Sequence, residues 1–338
     1  MCTRVVYLGD NNTVITGRNM DWGDDMQTNL WAMPRGMQRD GSAGPNSLKW
    51  TSKYGSVVCA GYDFSAVDGM NEKGLVGNML YLTEADYGVE NGKPTISISL
   101  WLQYVLDNFS SVAEAVTALQ AESFRIISVV VPADGRKASL HLSLSDPSGD
   151  SAIFEYLGGK LVIHHDRKYQ VMTNSPNYDA QLAMNDYWQG MGFQTFLPGT
   201  INPPDRFARA YAAVTEVPRQ VDKAYINSVP GADFNNQALI STRGIMRTVC
   251  VPLGLNSPTR PEVSSTIWTT ISDHKNKVYY FDCQTSPNTF WVDLKEFDFS
   301  EGAPVKKLTS SGGNVFAGSV AKQFQVTEPM KFLPASAT

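Results

Sequence analysis

The sequence predicts an α+β fold in which helices are layered on antiparallel β-sheets. Short apolar or alternating runs bounded by turn residues recur through most of the 338 residues and indicate many strands. Amphipathic stretches with helical spacing stand in blocks between the strand groups. Strands and helices do not alternate regularly, as they would in a doubly wound parallel sheet. We find no internal repeat or low-complexity linker, so one domain over residues 1–338 is the simplest account.

The predicted strands are spread over the whole chain. The clearest is a hairpin in which residues 153–157 and 160–164 flank Gly158 and Gly159, because two glycines readily adopt the positive φ of a tight primed turn. The other predicted strands cover residues 3–8, 14–17, 75–82, 139–145, 170–173, 278–282 and 289–293.

Three helices are predicted. Ser111 precedes Glu114 by three residues, the spacing of a capping box, and an apolar stripe follows, which predicts a helix over residues 112–120. Residues 98–106 are apolar at the same spacing and are expected to pack against it. A third helix is expected over residues 207–214. Segments rich in Pro, Gly and Asn indicate surface loops at residues 36–47, 198–204 and 256–261.

Composition excludes several classes of protein. The 28 Lys and Arg stand against 33 Asp and Glu, a formal charge of −5, without a dense basic cluster, so nucleic acid is not an expected partner. No run approaches the ~20 apolar residues that cross a bilayer, and the first residues lack the layout of a signal peptide. We expect no membrane partner. The four cysteines are scattered, without the spacing of a metal site or a disulfide framework.

Cys2 is the residue to weigh first. Methionine is generally trimmed when the next residue is small, and trimming of Met1 would place an α-amine and a thiol on one residue. A free thiol has a pKa near ~8.5 and an α-amine near ~7.7 to 8.0, so proton exchange between them is nearly balanced at neutral pH. Nucleophile and base would then be one residue. The alternative, favoured by position alone, is a small buried hydrophobic residue near a chain end.

Arg18 and Asp21 follow a strand-like run and strengthen the first interpretation. A guanidinium close to sulfur favours the thiolate, and a carboxylate can orient the α-amine. In a regular strand these two side chains would point to opposite faces, so we expect the strand to end or bulge near Asn19 or Met20 for both to reach Cys2. An ordinary surface pair of Arg and Asp is the alternative.

Four segments occur in an order that is typical of one family: residues 1–4 (MCTR), 17–22 (GRNMDW), 71–75 (NEKGL) and 172–176 (MTNSP). From Cys2 to about residue 294 the sequence resembles the choloylglycine hydrolase family, which comprises penicillin V acylases and conjugated bile salt hydrolases. It is most similar to the Gram-negative branch. The resemblance implies an N-terminal-nucleophile hydrolase fold, a four-layer αββα sandwich with two antiparallel sheets.

The resemblance also implies roles for individual residues. Cys2 corresponds to the nucleophile, and Arg18 and Asp21 correspond to the Arg and Asp beside it. Asn174 matches the oxyanion-hole Asn, whose amide can donate to the charge that develops on the carbonyl oxygen. The backbone N–H of Tyr81 matches the second oxyanion donor.

A further active-site Arg of the family matches Arg206, although Asp205 departs from the small residue expected before it. Aromatic and thioether side chains make adaptable apolar pockets. The expected acyl pocket is lined by Met20, Trp22, Tyr62, Phe64 and Tyr81, with Tyr87 as a further candidate for substrate binding. Three neighbouring residues, Met26, Trp31 and Met33, are interpreted as core.

The implied reaction begins with attack of the Cys2 sulfur on an amide carbonyl. Its proton passes through the α-amine, the amine product leaves a thioester, and water hydrolyses the thioester. No metal and no organic cofactor is expected. A papain-like enzyme is a rival, but no histidine lies in a segment that resembles that family; the four are His141, His164, His165 and His274.

Penicillin V or a related acyl amide is the expected small-molecule substrate, because many bile salt hydrolases carry Asn where this chain has Tyr81. Bile-salt deconjugation and acyl-homoserine-lactone hydrolysis are the enzymatic alternatives. An inactive β-rich binding protein that retains Met1 is the non-enzymatic one. A homotetramer is implied, although the stretch between Asn174 and Arg206 is shorter than in Gram-positive members. The expected location is cytoplasmic if Met1 is the native start and periplasmic if Met1 replaces a removed signal peptide.

Overall fold

The computed structural model describes residues 2–132, 135–257 and 263–335. Its strands, in chain order, are β1 (Cys2–Gly9), β2 (Thr13–Asp21), β3 (Leu30–Met33), β4 (Gln38–Asp40), β5 (Lys49–Thr51), β6 (Ser56–Gly61), β7 (Ser65–Asn71), β8 (Val76–Tyr81), β9 (Thr95–Ser97), β10 (Arg125–Ile127), β11 (Leu140–Ser145), β12 (Ser151–Leu157), β13 (Lys160–His165), β14 (Val171–Met172), β15 (Thr266–Asp273), β16 (Val278–Cys283), β17 (Thr289–Asp293), β18 (Lys306–Leu308), β19 (Gly318–Ser319) and β20 (Gln325–Val326).

The α-helices of the described residues are α1 (Trp101–Asn108), α2 (Val112–Gln120), α3 (Tyr178–Met191), α4 (Pro203–Glu216) and α5 (Phe234–Thr248). Short 3₁₀ turns cover Ile98–Leu100, Ile226–Ser228, Pro230–Ala232, Leu294–Glu296 and Ala321–Gln323.

The strands form two large sheets. The seven-stranded sheet has the order β14-β1-β2-β15-β16-β17-β19 and is antiparallel except between β17 and β19. The nine-stranded sheet has the order β13-β12-β11-β8-β7-β6-β3-β18-β20 and is antiparallel throughout. Two small ribbons pair β4 with β5 and β9 with β10. The N-terminal strand β1 therefore lies inside a sheet, between β14 and β2, which places residue 2 in the interior.

The elements stack in four layers. Helices α4 and α5 pack on the seven-stranded sheet, with α3 beside α4, and helices α1 and α2 pack on the nine-stranded sheet. The two sheets face each other, and polar contacts such as that of Thr16 with Ser145 cross between them. Each outer helical layer covers an apolar cluster. The predicted αββα arrangement with two antiparallel sheets is confirmed, apart from the parallel pair at one edge.

Two local predictions are confirmed almost residue for residue. Strands β12 and β13 form the expected hairpin, with φ values of 55° at Gly158 and 76° at Gly159, conformations that glycine adopts at little cost. Helix α2 covers the expected residues, and Ser111 Oγ accepts a hydrogen bond from Glu114 N at 3.3 Å. The return bond of the capping box differs, because Glu114 Oε2 accepts from the backbone N of Ser110 at 2.7 Å.

Several boundaries differ from the predictions. Strand β2 extends to Asp21 rather than ending at residue 17, and the predicted helix over residues 98–106 begins as a 3₁₀ turn. The third predicted helix, α4, begins four residues earlier, because prolines are tolerated in the first turn, where the N–H is unpaired anyway. The predicted loop over residues 36–47 contains β4. Of the predicted loop at 256–261, residues 258–261 lie outside the described residues.

Helices α3 and α5 were not predicted. Both bury polar side chains on the face that packs inward: Gln181 and Asn185 on α3, and Asn235, Gln237 and Thr242 on α5. A polar residue at a buried position interrupts the apolar stripe from which a helix is recognised in a sequence.

Candidate active site

Cys2 opens β1 and is almost fully buried, with 2% of its surface exposed. It pairs with Met20 on β2, so both side chains point to the same face of the sheet. Its Sγ lies 3.3 Å from Arg18 Nη2 and 3.7 Å from Met20 Sδ. On the main chain, Cys2 N donates to Asn174 Oδ1 at 2.6 Å. The thiol thus faces a cation, while the nitrogen of the same residue faces an amide oxygen.

Arg18 lies in the space between the two sheets and is fully buried. Its Nη2 also donates to the Met79 carbonyl at 2.9 Å, and its guanidinium stands over the Trp268 ring at 4.6 Å. Nη1 lies 3.6 Å from Asp68 Oδ2. Burial lowers the pKa of Arg18, but the Cys2 sulfur and the Asp68 carboxylate outweigh burial, so the pKa is raised overall. Arg18 therefore keeps its charge beside the sulfur.

Asp21 lies on the opposite face of β2 from Arg18, so the expected break in this strand is wrong. The pairing of β2 with β1 is regular from Thr13 to Met20, and the register shift lies in β15, between Thr266 and Trp268. No break is needed, because Cys2 is the first residue of β1 and its main chain can be reached from the face opposite its thiol.

Asp21 connects with Cys2 through Arg206 of helix α4. Asp21 Oδ1 accepts from Thr266 Oγ1 at 2.5 Å, and Oδ2 lies 3.6 Å from Arg206 Nη1. Arg206 Nη1 donates to the Cys2 carbonyl at 2.8 Å and to Thr3 Oγ1. Burial lowers the pKa of Arg206, and Asp21 acts in the opposite direction. Arg206 thus belongs to the site despite the unusual residue that precedes it.

That preceding residue, Asp205, stabilises the start of helix α4. Its carboxylate accepts from Thr200 Oγ1 at 2.5 Å and lies in the first turn of α4, where a negative charge stabilises the helix.

Asn174 is buried and joins the two sheets beside Cys2. Its Oδ1 accepts from Cys2 N and from Arg206 Nη2 at 3.0 Å, and its Nδ2 donates to the Tyr81 carbonyl at 2.7 Å. A guanidinium can only donate, so these partners determine which way the amide points. One N–H of Asn174 is used by Tyr81, which leaves the second N–H for another acceptor.

The backbone of Tyr81 points toward Asn174. Tyr81 pairs with Leu140 on β11, and the neighbouring Leu82 N donates to Ser139 O. Since the N–H and C=O groups of consecutive residues point to alternate sides of an antiparallel strand, those of Tyr81 point away from β11. Its N–H is therefore directed to the same side as its carbonyl, which Asn174 binds.

A cavity opens onto the Cys2 thiol. Its wall is mainly apolar and is formed by residues from both sheets and from the segment before β11. Besides Cys2 and Arg18, the lining residues are Met20, Trp22, Met26, Gly61, Tyr62, Phe64, Ser65, Val67, Met79, Tyr81, Ile98, Val129, Val131, Arg136, Lys137, Ala138, Ser139 and Leu140.

Comparison with known proteins agrees with this geometry. A family model described as linear amide C–N hydrolases, choloylglycine hydrolase family, matches residues 2–307. The chain belongs to this family. It is therefore an enzyme that hydrolyses linear amides.

The relatives include enzymes of both named activities. The penicillin V acylase of Pectobacterium atrosepticum is 44% identical over 98% of this chain and 92% of that protein. The structure of the penicillin V acylase from Agrobacterium tumefaciens superposes with a TM-score of 0.87 at 48% identity, over 98% of this chain and 99% of that one. The bile salt hydrolase/transferase of Clostridium perfringens is 28% identical over 74% of this chain and 82% of that protein.

Most of the residues predicted to form the acyl pocket line the cavity. Trp22 Nε1 donates to Tyr62 OH at 2.8 Å, and Tyr62 stacks on Phe64 with ring centroids 5.6 Å apart. Met20 and Tyr81 complete the predicted set. These contacts make one continuous aromatic wall.

The structure corrects the expectation for Tyr87, which does not line this cavity. Its partly buried ring packs against Trp101 and Tyr156, and its hydroxyl binds the main-chain N and O of Leu140. Tyr87 thus supports a wall residue from behind. Met26, Trp31 and Met33 belong to the core as expected, and Met26 also lines the cavity.

Sequence reasoning missed one wall of the cavity, formed by Val129, Val131 and the residues of 136–140. In the sequence, three consecutive valines are typical of the end of a strand. No neighbouring residue indicates whether such a segment lines a cavity or lies at the edge of a sheet. Within the described residues, we find no group of three or more His, Cys, Asp or Glu arranged to hold a metal ion. No helix of the described part is long and apolar enough to span a bilayer.

Proposed function

We propose that this enzyme hydrolyses the acyl amide of penicillin V, with Cys2 as its nucleophile after removal of Met1. The observation that carries the proposal is the Cys2 thiol at the base of a mainly apolar cavity, 3.3 Å from the Arg18 guanidinium. The aromatic wall of Trp22, Tyr62 and Phe64 suits a phenoxyacetyl group. Two relatives that cover nearly the whole chain are penicillin V acylases, which favours the same substrate.

The proposed reaction uses both functional groups of Cys2. The α-amine takes the thiol proton, and the sulfur attacks the amide carbonyl carbon. The carbonyl oxygen becomes an oxyanion, which accepts hydrogen bonds from the second N–H of Asn174 and from the backbone N–H of Tyr81. The C–N bond then breaks, and the leaving amine takes the proton from the Cys2 ammonium. Water hydrolyses the thioester, with the α-amine as the base, and regenerates the thiol.

Three charged residues prepare this step in our proposal. Arg18 stabilises the sulfur as it becomes anionic. Arg206 binds the Cys2 carbonyl and the Asn174 oxygen, and so holds the nucleophile and the oxyanion donor in one frame. Asp21 compensates the buried charge of Arg206.

The nucleophile is tested by Cys2→Ser. We expect this variant to fold and to lose most of its turnover, because a hydroxyl is far less acidic than a thiol and exchanges its proton poorly with the amine. Cys283→Ser is the matched control, since Cys283 is a partly buried free thiol that does not line the cavity, and it is expected to keep full activity. Near-native rates in Cys2→Ser would overturn the assignment. Intact mass establishes whether Met1 is absent from the active protein.

The substrate is tested by a side-by-side rate measurement on penicillin V, glycocholate and a long-chain acyl-homoserine lactone. We expect the highest kcat/KM on penicillin V. A higher kcat/KM on either of the other two amides would replace the proposed substrate while leaving the Cys2 chemistry intact.

We also propose that the enzyme assembles as a homotetramer. The end of α3 and the segment after it expose apolar side chains that a second copy would cover: Tyr187, Met191, Phe196 and Leu197. Light scattering behind size exclusion tests this proposal, and a monomeric mass at micromolar concentration would overturn it.

A further inference from the structure

A second buried acid, Asp68, lies next to Arg18 and outside the cavity. Asp68 lies on β7, in the space between the two sheets, and is fully buried. Its Oδ2 lies 3.6 Å from Arg18 Nη1, whereas the contact with the Cys2 sulfur is made by the other terminal nitrogen, Nη2. Asp68 is not among the residues that line the cavity. It therefore faces the cation beside the sulfur without facing the substrate.

Hydrogen-bond donors from three other strands surround the Asp68 carboxylate. Asn78 Nδ2 donates to Oδ2 at 2.8 Å, and Thr270 Oγ1 donates to Oδ1 at 3.3 Å. Tyr279 OH also donates to Oδ1, and Cys59 Sγ lies 3.2 Å from the same hydroxyl. Burial raises the pKa of Asp68 overall, although Arg18 and these donors act in the opposite direction. A carboxyl group that receives donors on both oxygens is arranged for its ionised form.

Charge balance in this buried cluster then determines which form of Cys2 is favoured. With Arg18 positive and Asp68 negative, and with Arg206 beside Cys2 compensated by Asp21, the cluster is neutral when Cys2 is a thiol. Loss of the thiol proton to solvent gives the cluster a net negative charge, which is unfavourable away from water. Without the Asp68 charge, the cluster is neutral when Cys2 is a thiolate. The Asp68 carboxylate, which pairs with Nη1 of Arg18, therefore opposes ionisation of the sulfur.

We propose that Asp68 is a positioning residue that acts through Arg18 and keeps Cys2 a neutral thiol in the resting enzyme. The thiolate then forms only as the α-amine accepts the proton during attack. A sulfur that ionises less readily is also a stronger nucleophile once its proton is gone. Tyr279 supports this arrangement by donating to the carboxylate. The inference rests on the proposed role of Cys2.

The test is the pH dependence of Cys2 alkylation by iodoacetamide in protein whose mass establishes the absence of Met1. Peptide mass spectrometry follows Cys2 alone, since Cys250 and Cys283 are partly accessible and also react. In Asp68→Asn we expect the midpoint of alkylation to move down by about one pH unit, so that Cys2 reacts about tenfold faster on the acid side. The acid limb of kcat/KM should move with it, while KM for penicillin V stays unchanged.

Two further variants keep the test decisive. Tyr279→Phe removes one donor to Asp68 and is expected to move the midpoint in the same direction by a smaller amount. Asp107→Asn alters another fully buried carboxylate that pairs with an arginine, and it should leave the midpoint unchanged even if it lowers stability.

An unchanged or raised midpoint in folded Asp68→Asn would overturn the proposal. If Asp68→Asn does not fold, an unchanged or raised midpoint in Tyr279→Phe overturns it. Alkylation needs no turnover, so this outcome is distinct from failure of the proposed function, which Cys2→Ser tests separately.

Discussion

Two buried arginine–aspartate pairs allow a comparison within one molecule. Arg18 and Asp68 lie between the two sheets, 3.6 Å apart, whereas Arg39 and Asp107 lie 3.2 Å apart where the β4–β5 ribbon meets helix α1. Both carboxylates are fully buried, and burial raises the pKa of each. The two pairs thus share their chemistry and burial, and they differ in what else the arginine faces.

The Arg39–Asp107 pair is a closed pair, by which we mean that its contacts are with structural neighbours and not with the site. Asp107 of α1 accepts from Arg39 Nε, from Trp50 Nε1 at 2.8 Å and from Gln103 Nε2 at 2.7 Å. These contacts fasten the β4–β5 ribbon to helix α1. Such a pair contributes to structure, and its arginine does not contact Cys2 in the described contacts.

The Arg18–Asp68 pair is an open pair, by which we mean that its arginine has donors that are not used by structural neighbours. Among the described residues, Nε and Nη1 of Arg18 make no hydrogen bond, and Nη2 points at the Cys2 sulfur. A buried guanidinium with incompletely used donors gains when a negative charge develops nearby. The comparison shows that a buried ion pair can contribute to catalysis when its cation directs an N–H donor at the reacting atom.

Loss of the cation should produce the largest difference between the two pairs. We expect Arg18→Met to lower kcat/KM by about 10²- to 10³-fold, the usual effect of removing an electrostatic stabiliser, and to raise the midpoint of Cys2 alkylation. Arg39→Met should lose stability and keep its kcat/KM per folded molecule. Steady-state rates on penicillin V, with urea unfolding of both variants, make the measurement. Equal losses of kcat/KM in both would contradict the distinction.

The sequence reveals one half of the open pair more readily than the other. Arg18 stands in a short motif on the strand that pairs with Cys2, so local spacing and the resemblance both indicate it. Asp68 stands in a run that ends Asp-Gly-Met-Asn, which is typical of a turn, yet it lies inside β7. Its partners come from β2, β8, β15 and β16, and only the packing of two sheets brings them together.

The same reasoning explains the rest of what was and was not predicted. Elements with a strong local signal, such as the Gly158-Gly159 hairpin and helix α2, were predicted within one or two residues. The cavity wall at Val129 and Val131, and the inward direction of Met26, depend on contacts distant in sequence. Tyr87 was misjudged because an aromatic residue near a pocket has the same sequence signature whether it lines the wall or stands behind it.

Loss of the acid in the closed pair should affect stability alone. We expect Asp107→Asn to lower the free energy of unfolding by about 3 kcal/mol, because Arg39 remains buried without a counter-charge. Urea unfolding at neutral pH measures this, and kcat/KM per folded molecule should stay unchanged. A loss of kcat/KM as large as that of Arg18→Met would show that the two pairs are not separate in function.

A buried histidine offers a further contrast, because it lies in the same space between the sheets without forming an ion pair. His274 Nδ1 lies 2.7 Å from the Gly74 carbonyl and Nε2 lies 2.8 Å from Thr16 Oγ1, contacts that suit the neutral ring. Burial lowers the pKa of His274 from 6.5 to about 4. Between these values the unfolded chain binds more protons than the folded one, so stability falls as pH falls.

This difference in pKa amounts to about 3 kcal/mol of stability lost between pH 6.5 and 4. Urea unfolding at both ends of that window measures the slope. We expect His274→Asn, which keeps a donor for the Gly74 carbonyl, to flatten it. An undiminished slope in the variant would assign the acid sensitivity to other groups.

The smallest effect is expected where an arginine pair is exposed. Arg35 Nη2 lies 2.6 Å from Glu72 Oε2, closer than either buried pair, but 47% of the Arg35 side chain is open to solvent. Water screens the attraction, and ordering two long side chains costs entropy, so Arg35→Gln should lower the free energy of unfolding by less than about 1 kcal/mol. Urea unfolding beside Asp107→Asn measures the ratio. A loss as large as that of Asp107→Asn would mean that distance, rather than burial and the remaining partners, determines what an ion pair contributes in this fold.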